Sequence, residues 1–103
     1  MKYLNANAYR EIIENEEETC LILFSRKSCP VCQQVKPKIE ELEADYADFS
    51  FYGVDSEENE SLMAKCGVKG VPQVLFFKDG EEYKRLAGNN DTDDYADVIE
   101  ELL

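Results

Sequence analysis

The run Cys20-Leu21-Ile22-Leu23-Phe24 is the tightest constraint on what this chain can become. A strand with one wet face alternates apolar and polar side chains, so an unbroken apolar stretch of strand length belongs to a strand covered on both sides. Such a strand calls for helices above and below it, and the remaining sequence supplies them. Ala8, Tyr9, Ile12 and Ile13 share one face at helical spacing, after Asn5 or Asn7 as cap and before the acidic run Glu16-Glu17-Glu18. Cys32, Val35, Ile39, Leu42 and Tyr46 recur at intervals of three and four, which predicts a long helix with one buried stripe continuing past Pro37.

Further on, Phe49 to Asp55 reads as a second strand, and Leu62, Met63 and Cys66 as a short helix closed by Gly67. Val74-Leu75-Phe76-Phe77 and the segment Tyr83 to Ala87 flank Lys78-Asp79-Gly80-Glu81, and an Asp-Gly pair between apolar runs predicts a hairpin. Tyr95, Val98, Ile99 and Leu102 form the apolar face of a terminal helix capped at Asp91, Thr92 or a neighbour. With a short opening strand near Tyr3, the order predicts an α/β fold in a single domain over residues 1–103. One parallel βαβ unit and a hairpin build a central mixed sheet of four to five strands, flanked by four helices.

Between the unbroken strand and the long helix stands Ser28-Cys29-Pro30-Val31-Cys32. A helix N-terminus carries unpaired N–H groups and about half a positive charge, which favour thiolate over thiol. A second cysteine three positions on lies within reach to close a disulfide, so the pair reads as a redox device. In that reading Cys29, the more exposed at the helix start, attacks a disulfide as thiolate, and Cys32 resolves the mixed disulfide. Pro30 fits the first helical position, where no N–H is needed. Arg26 and Lys27 stand upstream with charges of the sign that stabilises a thiolate. The competing readings are a pair of inert core cysteines, or half of a zinc site completed by Cys20 and Cys66. Against zinc, the spacings are irregular and Cys20 falls in the buried run, where it reads as a small hydrophobe. Cys66 reads as packing for the short helix, with a regulatory thiol as the alternative.

Charge and composition exclude several functions. The chain has 11 Lys and Arg against 23 Asp and Glu, a net charge of −12 that repels nucleic-acid backbones and anionic lipid. It has no histidine, which removes imidazole catalysis and histidine metal ligation together. No stretch approaches the roughly 18 apolar residues of a membrane span. The opening Met1-Lys2-Tyr3-Leu4-Asn5 lacks an apolar signal region, so the cytoplasm is the expected compartment.

Taken together, Cys29-Pro30-Val31-Cys32, Pro37 five residues later, Lys65 to Pro72, Lys78-Asp79-Gly80-Glu81 and Gly88 resemble the thioredoxin family over essentially the whole chain. The resemblance implies a thioredoxin fold, a cis Val71-Pro72 bond facing the cysteine pair, and Cys29 as nucleophile with Cys32 as resolving thiol. It implies a substrate backbone docked on Val71, with contacts at Ser28, Gly70, Pro72 and Gly88, and support for the site from Lys27, Pro30, Val31 and Pro72. It further implies a monomer that reduces protein disulfides, is recycled by a flavin-dependent thioredoxin reductase, and needs no cofactor beyond the Cys29–Cys32 disulfide. Three departures stand out. Ser28 replaces the tryptophan that usually precedes the first cysteine, and Pro30-Val31 replaces Gly-Pro between the pair. The family's buried aspartate and its partner lysine are matched by Leu23 and Phe51, which leaves the proton of Cys32 without its usual acceptor. Two alternatives share these residues: a glutaredoxin-like, glutathione-linked oxidoreductase, and a thioredoxin-fold binding or scaffold subunit with incidental thiols.

Overall fold

A computed structural model describes all residues, Met1 to Leu103. Strands β1 (Lys2–Tyr3), β2 (Cys20–Ser25), β3 (Ser50–Asp55), β4 (Gln73–Lys78) and β5 (Glu81–Ala87) form one five-stranded sheet in the order β1-β3-β2-β4-β5. β1, β3 and β2 run parallel, whereas β4 lies antiparallel to β2 and pairs with β5 as a hairpin. The helices are α1 (Ala6–Tyr9), which widens into a π-helical turn over Arg10–Asn15, then α2 (Pro30–Asp45), α3 (Glu60–Lys65) and α4 (Thr92–Leu102).

β2 is the central strand, and all six of its residues are buried. Its pleat sends Cys20, Ile22 and Phe24 into one core with Tyr9, Ile12, Ile13, Leu62 and Leu75. Leu21 and Leu23 point into the other core with Val35, Ile39, Phe51, Phe76, Tyr95 and Ile99. The unbroken apolar run is therefore two period-2 patterns superimposed, one for each covered face. α1 and α3 cover the first face, α2 and α4 the second. No helix is long and apolar enough to cross a membrane.

Local chemistry explains the element ends. Asn5 caps α1 by accepting from the Ala8 N–H at 2.9 Å. Asp91 and Asp94 form a reciprocal capping box on α4. The hairpin turn takes only Asp79 and Gly80, both at positive φ (51° and 82°), so β5 begins at Glu81, two residues earlier than its apolar pattern suggests. Gly80 is required for a second reason, since a Cβ there would lie 2.6 Å from the Ile13 carbonyl oxygen. Pro37 sits inside α2 without ending it, and Tyr46 closes that helix as its C-cap rather than extending the buried stripe.

Candidate active site

β2 ends at Ser25, and residues 26–29 turn the chain into α2. Cys29 is the N-cap of α2, with extended backbone at φ −94° and ψ 113°. Its Sγ occupies the place of a capping oxygen and accepts from the Cys32 backbone N–H at 3.2 Å. Pro30 follows at the helix start, where its missing N–H leaves nothing unpaired. The preceding loop is clamped by Gln33, whose side-chain amide donates to the Lys27 carbonyl at 2.9 Å.

The two sulfurs differ in electrostatics more than in exposure. Both residues are buried, Cys29 at 4% exposure and Cys32 at 2%, so Cys29 is the more exposed of the two by a narrow margin. The thiol of Cys29 is held below its ordinary value, first by a hydrogen bond from the Cys32 thiol, then by the Cys32 backbone N–H and the Arg26 charge, with burial opposing. Arg26 is thus the upstream charge that acts on the sulfur, whereas Lys27 serves the loop through its carbonyl. Cys32 is pushed up to about 11 by burial, and then by its hydrogen bond to Cys29. Environments that drive two neighbouring thiols apart assign one as the anion and the other as the proton holder. Both are free thiols here.

The remaining residues singled out in the sequence fall at the same end of the sheet. Register pairs Phe24 of β2 with Gln73 of β4, and Gln73 with Ala87 of β5, so Gly70, Val71, Pro72 and Gly88 gather beyond those strand ends. The Val71-Pro72 bond is cis, and the Pro72 carbonyl accepts from the Gly88 N–H at 2.9 Å. Val31 is exposed at 42%, and Ser28 and Gly70 are exposed. Cys20 and Cys66 belong to the core on the α1 and α3 side, and burial raises both. Leu23 is fully buried and Phe51 nearly so, both in the α2 and α4 core, so apolar packing fills the place of the family's carboxylate and lysine.

Two features escape the sequence because they join distant segments. Lys38 on α2 donates to Asn89 Oδ1 and to the Asn90 carbonyl, each at 2.8 Å, and Asn89 donates to Gln34 Oε1, tying the segment after Gly88 to α2. A cleft of about 730 Å³ opens beside Cys32, lined from β1, α1, the β2–α2 loop, α2 and the β3–α3 loop.

A thiol-bearing cap and a proton-holding partner, three residues apart, define a dithiol–disulfide exchange centre, and the chain is a thiol–disulfide oxidoreductase. The family model described as Thioredoxin matches residues 1–101. The thioredoxin of Staphylococcus saprophyticus is 34% identical over 84 residues, 81% of this chain and 81% of that protein. The crystal structure of Fasciola hepatica thioredoxin superposes with a TM-score of 0.90 at 30% identity, covering 100% of both chains. A protein of Arabidopsis thaliana named NADPH-dependent thioredoxin reductase 3 is 27% identical over 100 residues, which is 96% of this chain but 19% of that protein. The chain belongs to the thioredoxin family.

Proposed function

We propose that this protein reduces disulfides of other proteins, with Cys29 as attacking thiolate and Cys32 as resolving thiol. The observation that carries the reading is the hydrogen bond from the Cys32 N–H to Cys29 Sγ at the cap of α2. The Cys29 thiolate attacks one sulfur of the substrate, a Cys29–substrate disulfide forms, and the other substrate sulfur leaves as thiolate and takes up a proton. Cys32 then loses its proton and attacks Cys29 Sγ, the substrate departs as its second thiol, and the Cys29–Cys32 disulfide is left. With the apolar Leu23 and Phe51 standing where the family has its acid and that acid's partner, the Cys32 proton leaves through water in the adjoining cleft. Gly70, Val71, the cis Pro72 and Gly88 form the substrate-docking edge, with Ser28 and the exposed Val31 beside the nucleophile.

Electrons return from a flavin-dependent thioredoxin reductase, and the match to part of the Arabidopsis protein named NADPH-dependent thioredoxin reductase 3 supports such a partnership. The chain acts as a monomeric single domain with no cofactor beyond its own disulfide. The cytoplasm, where stable structural disulfides are uncommon, suits a catalytic thiol pair. Arg26 and the thiolate-favouring cap stabilise the reduced pair and make the couple more oxidising than about −270 mV; equilibration with glutathione buffers tests this, and a potential at or below that value refutes it. The central experiment is insulin reduction with dithiothreitol. Wild type is expected to accelerate it and Cys29→Ser to abolish it, while Cys32→Ser accumulates covalent complexes with substrate proteins. A wild type without activity would leave a binding or scaffold role in its place.

A further inference from the structure

The cleft beside Cys32 has a charge opposite to that of the chain around it. In a protein of net charge −12, its walls carry four cations, Lys2, Arg26, Lys27 and Lys36, against two carboxylates, Asp55 and Glu58. None of the four is neutralised by contact, because the ion pairs of the fold join Met1 to Glu43, Lys65 to Glu14 and Arg85 to Glu82. In a chain with 23 acidic residues against 11 basic ones, the cations outnumber the carboxylates on this cleft's wall. Lys36 is also held in place, its ammonium lying 5.7 Å from the centre of the Tyr3 ring. The buried hydroxyl-bearing Ser25 opens onto the same space.

The position is one where α/β sheets bind ligands. β2 and β3 are adjacent and parallel, yet β2 leads into α2 on one face and β3 leads toward α3 on the other. Their carboxyl ends therefore part, and a crevice opens at a topological switch point. A volume of about 730 Å³ is that of a small-molecule site.

We propose that this cleft binds a small polyanion, bearing carboxylate or phosphate groups, and that its occupancy is coupled to the redox state of Cys29 and Cys32. The cations supply the attraction, and Cys32 in the cleft wall supplies the coupling. A negative ligand there opposes the thiolate that the Cys32 N–H stabilises, whereas it meets no such charge in the neutral disulfide. The ligand binds the oxidised protein more tightly, and by reciprocity it lowers the reduction potential, about 30 mV for each tenfold difference in affinity.

The test is calorimetric titration of oxidised and reduced protein with inorganic pyrophosphate and with citrate, at constant ionic strength. Saturable binding is expected, tighter for the oxidised form by roughly threefold or more. The double variant Lys2→Glu/Lys36→Glu should weaken it by roughly tenfold or more, Lys36→Gln by less, and Lys84→Glu on β5 not at all. The potential in glutathione buffers should fall with ligand in wild type and stay fixed in the double variant. Absence of saturable binding, equal losses in the Lys84→Glu control, or equal affinity for both redox forms overturns the proposal. The coupling rests on the exchange chemistry proposed above. Binding without insulin reduction would refute that chemistry and leave the site standing, whereas insulin reduction without binding would do the reverse.

Discussion

Installing the family's missing acid probes how the α2 face of the core is built. Leu23 is fully buried among Val35, Ile39, Phe51 and Phe76, with no cation within that cluster. Leu23→Asp removes a buried aliphatic side chain and leaves a carboxyl without a partner. The first loss alone costs about 2–5 kcal/mol, and stranding a buried charge about 3–5 kcal/mol, so a net destabilisation of roughly 5 kcal/mol or more is expected. With a urea slope of about 2 kcal/mol per molar, the midpoint should fall by roughly 2.5 M or more. The pH dependence has a definite sign. Burial raises the introduced carboxyl above its unfolded value of about 3.9, so the folded protein holds a proton that the unfolded chain releases. Stability is therefore least impaired below that value and is lost as pH rises toward the folded one. Adding Phe51→Lys on the same face of the adjacent strand should recover about 0.5–3 kcal/mol as a coupling energy. Urea titrations at pH 4, 6 and 8 check both effects, and an unchanged midpoint for the single variant would refute the claim that apolar packing occupies this position.

Three further outcomes follow from the site and the turns. Arg26→Ala should raise the pH midpoint of Cys29 alkylation by iodoacetamide, because Arg26 is the side-chain cation that lowers that thiol; an unmoved midpoint would assign the whole effect to the cap. Reduced protein should lose stability as pH rises above 9.0, the ordinary thiol value, because the folded state keeps Cys32 protonated up to about 11 while the unfolded chain ionises; urea midpoints between pH 8 and pH 11 should fall for the reduced protein and less for the disulfide form. Gly80→Ala should cost about 1–3 kcal/mol in thermal unfolding, since the new Cβ would meet the Ile13 carbonyl at 2.6 Å as well as require φ of 82°. Gly67→Ala, at φ 65° with nothing within 4 Å, should cost less, and equal costs would show that the close contact relaxes freely.

Much of the architecture was legible because it depends on period and punctuation. The run Cys20 to Phe24 announced a two-faced strand, Asp79-Gly80 announced the turn, and the stripe through Val35, Ile39 and Leu42 announced α2. The boundaries that shifted did so where local rules are weak, as at Tyr46, whose apolar ring continued the spacing after the helix had ended. How deeply the cysteine pair sits is not legible for a related reason: spacing places a residue at a helix start but says nothing of the atoms packed over it.

The sequence by itself determined that two thiols stand at a strand-to-helix junction in a mixed α/β sheet, because secondary structure and spacing are local properties of the chain. It also determined that no imidazole takes part. Only the tertiary structure decided which sulfur is favoured as anion, since that depends on Arg26, the Cys32 N–H and burial acting together at one point. Only the tertiary structure, likewise, gathered Lys2, Arg26, Lys27 and Lys36 around one cleft, because cations from three separate segments meet only when β2 and β3 part at their carboxyl ends.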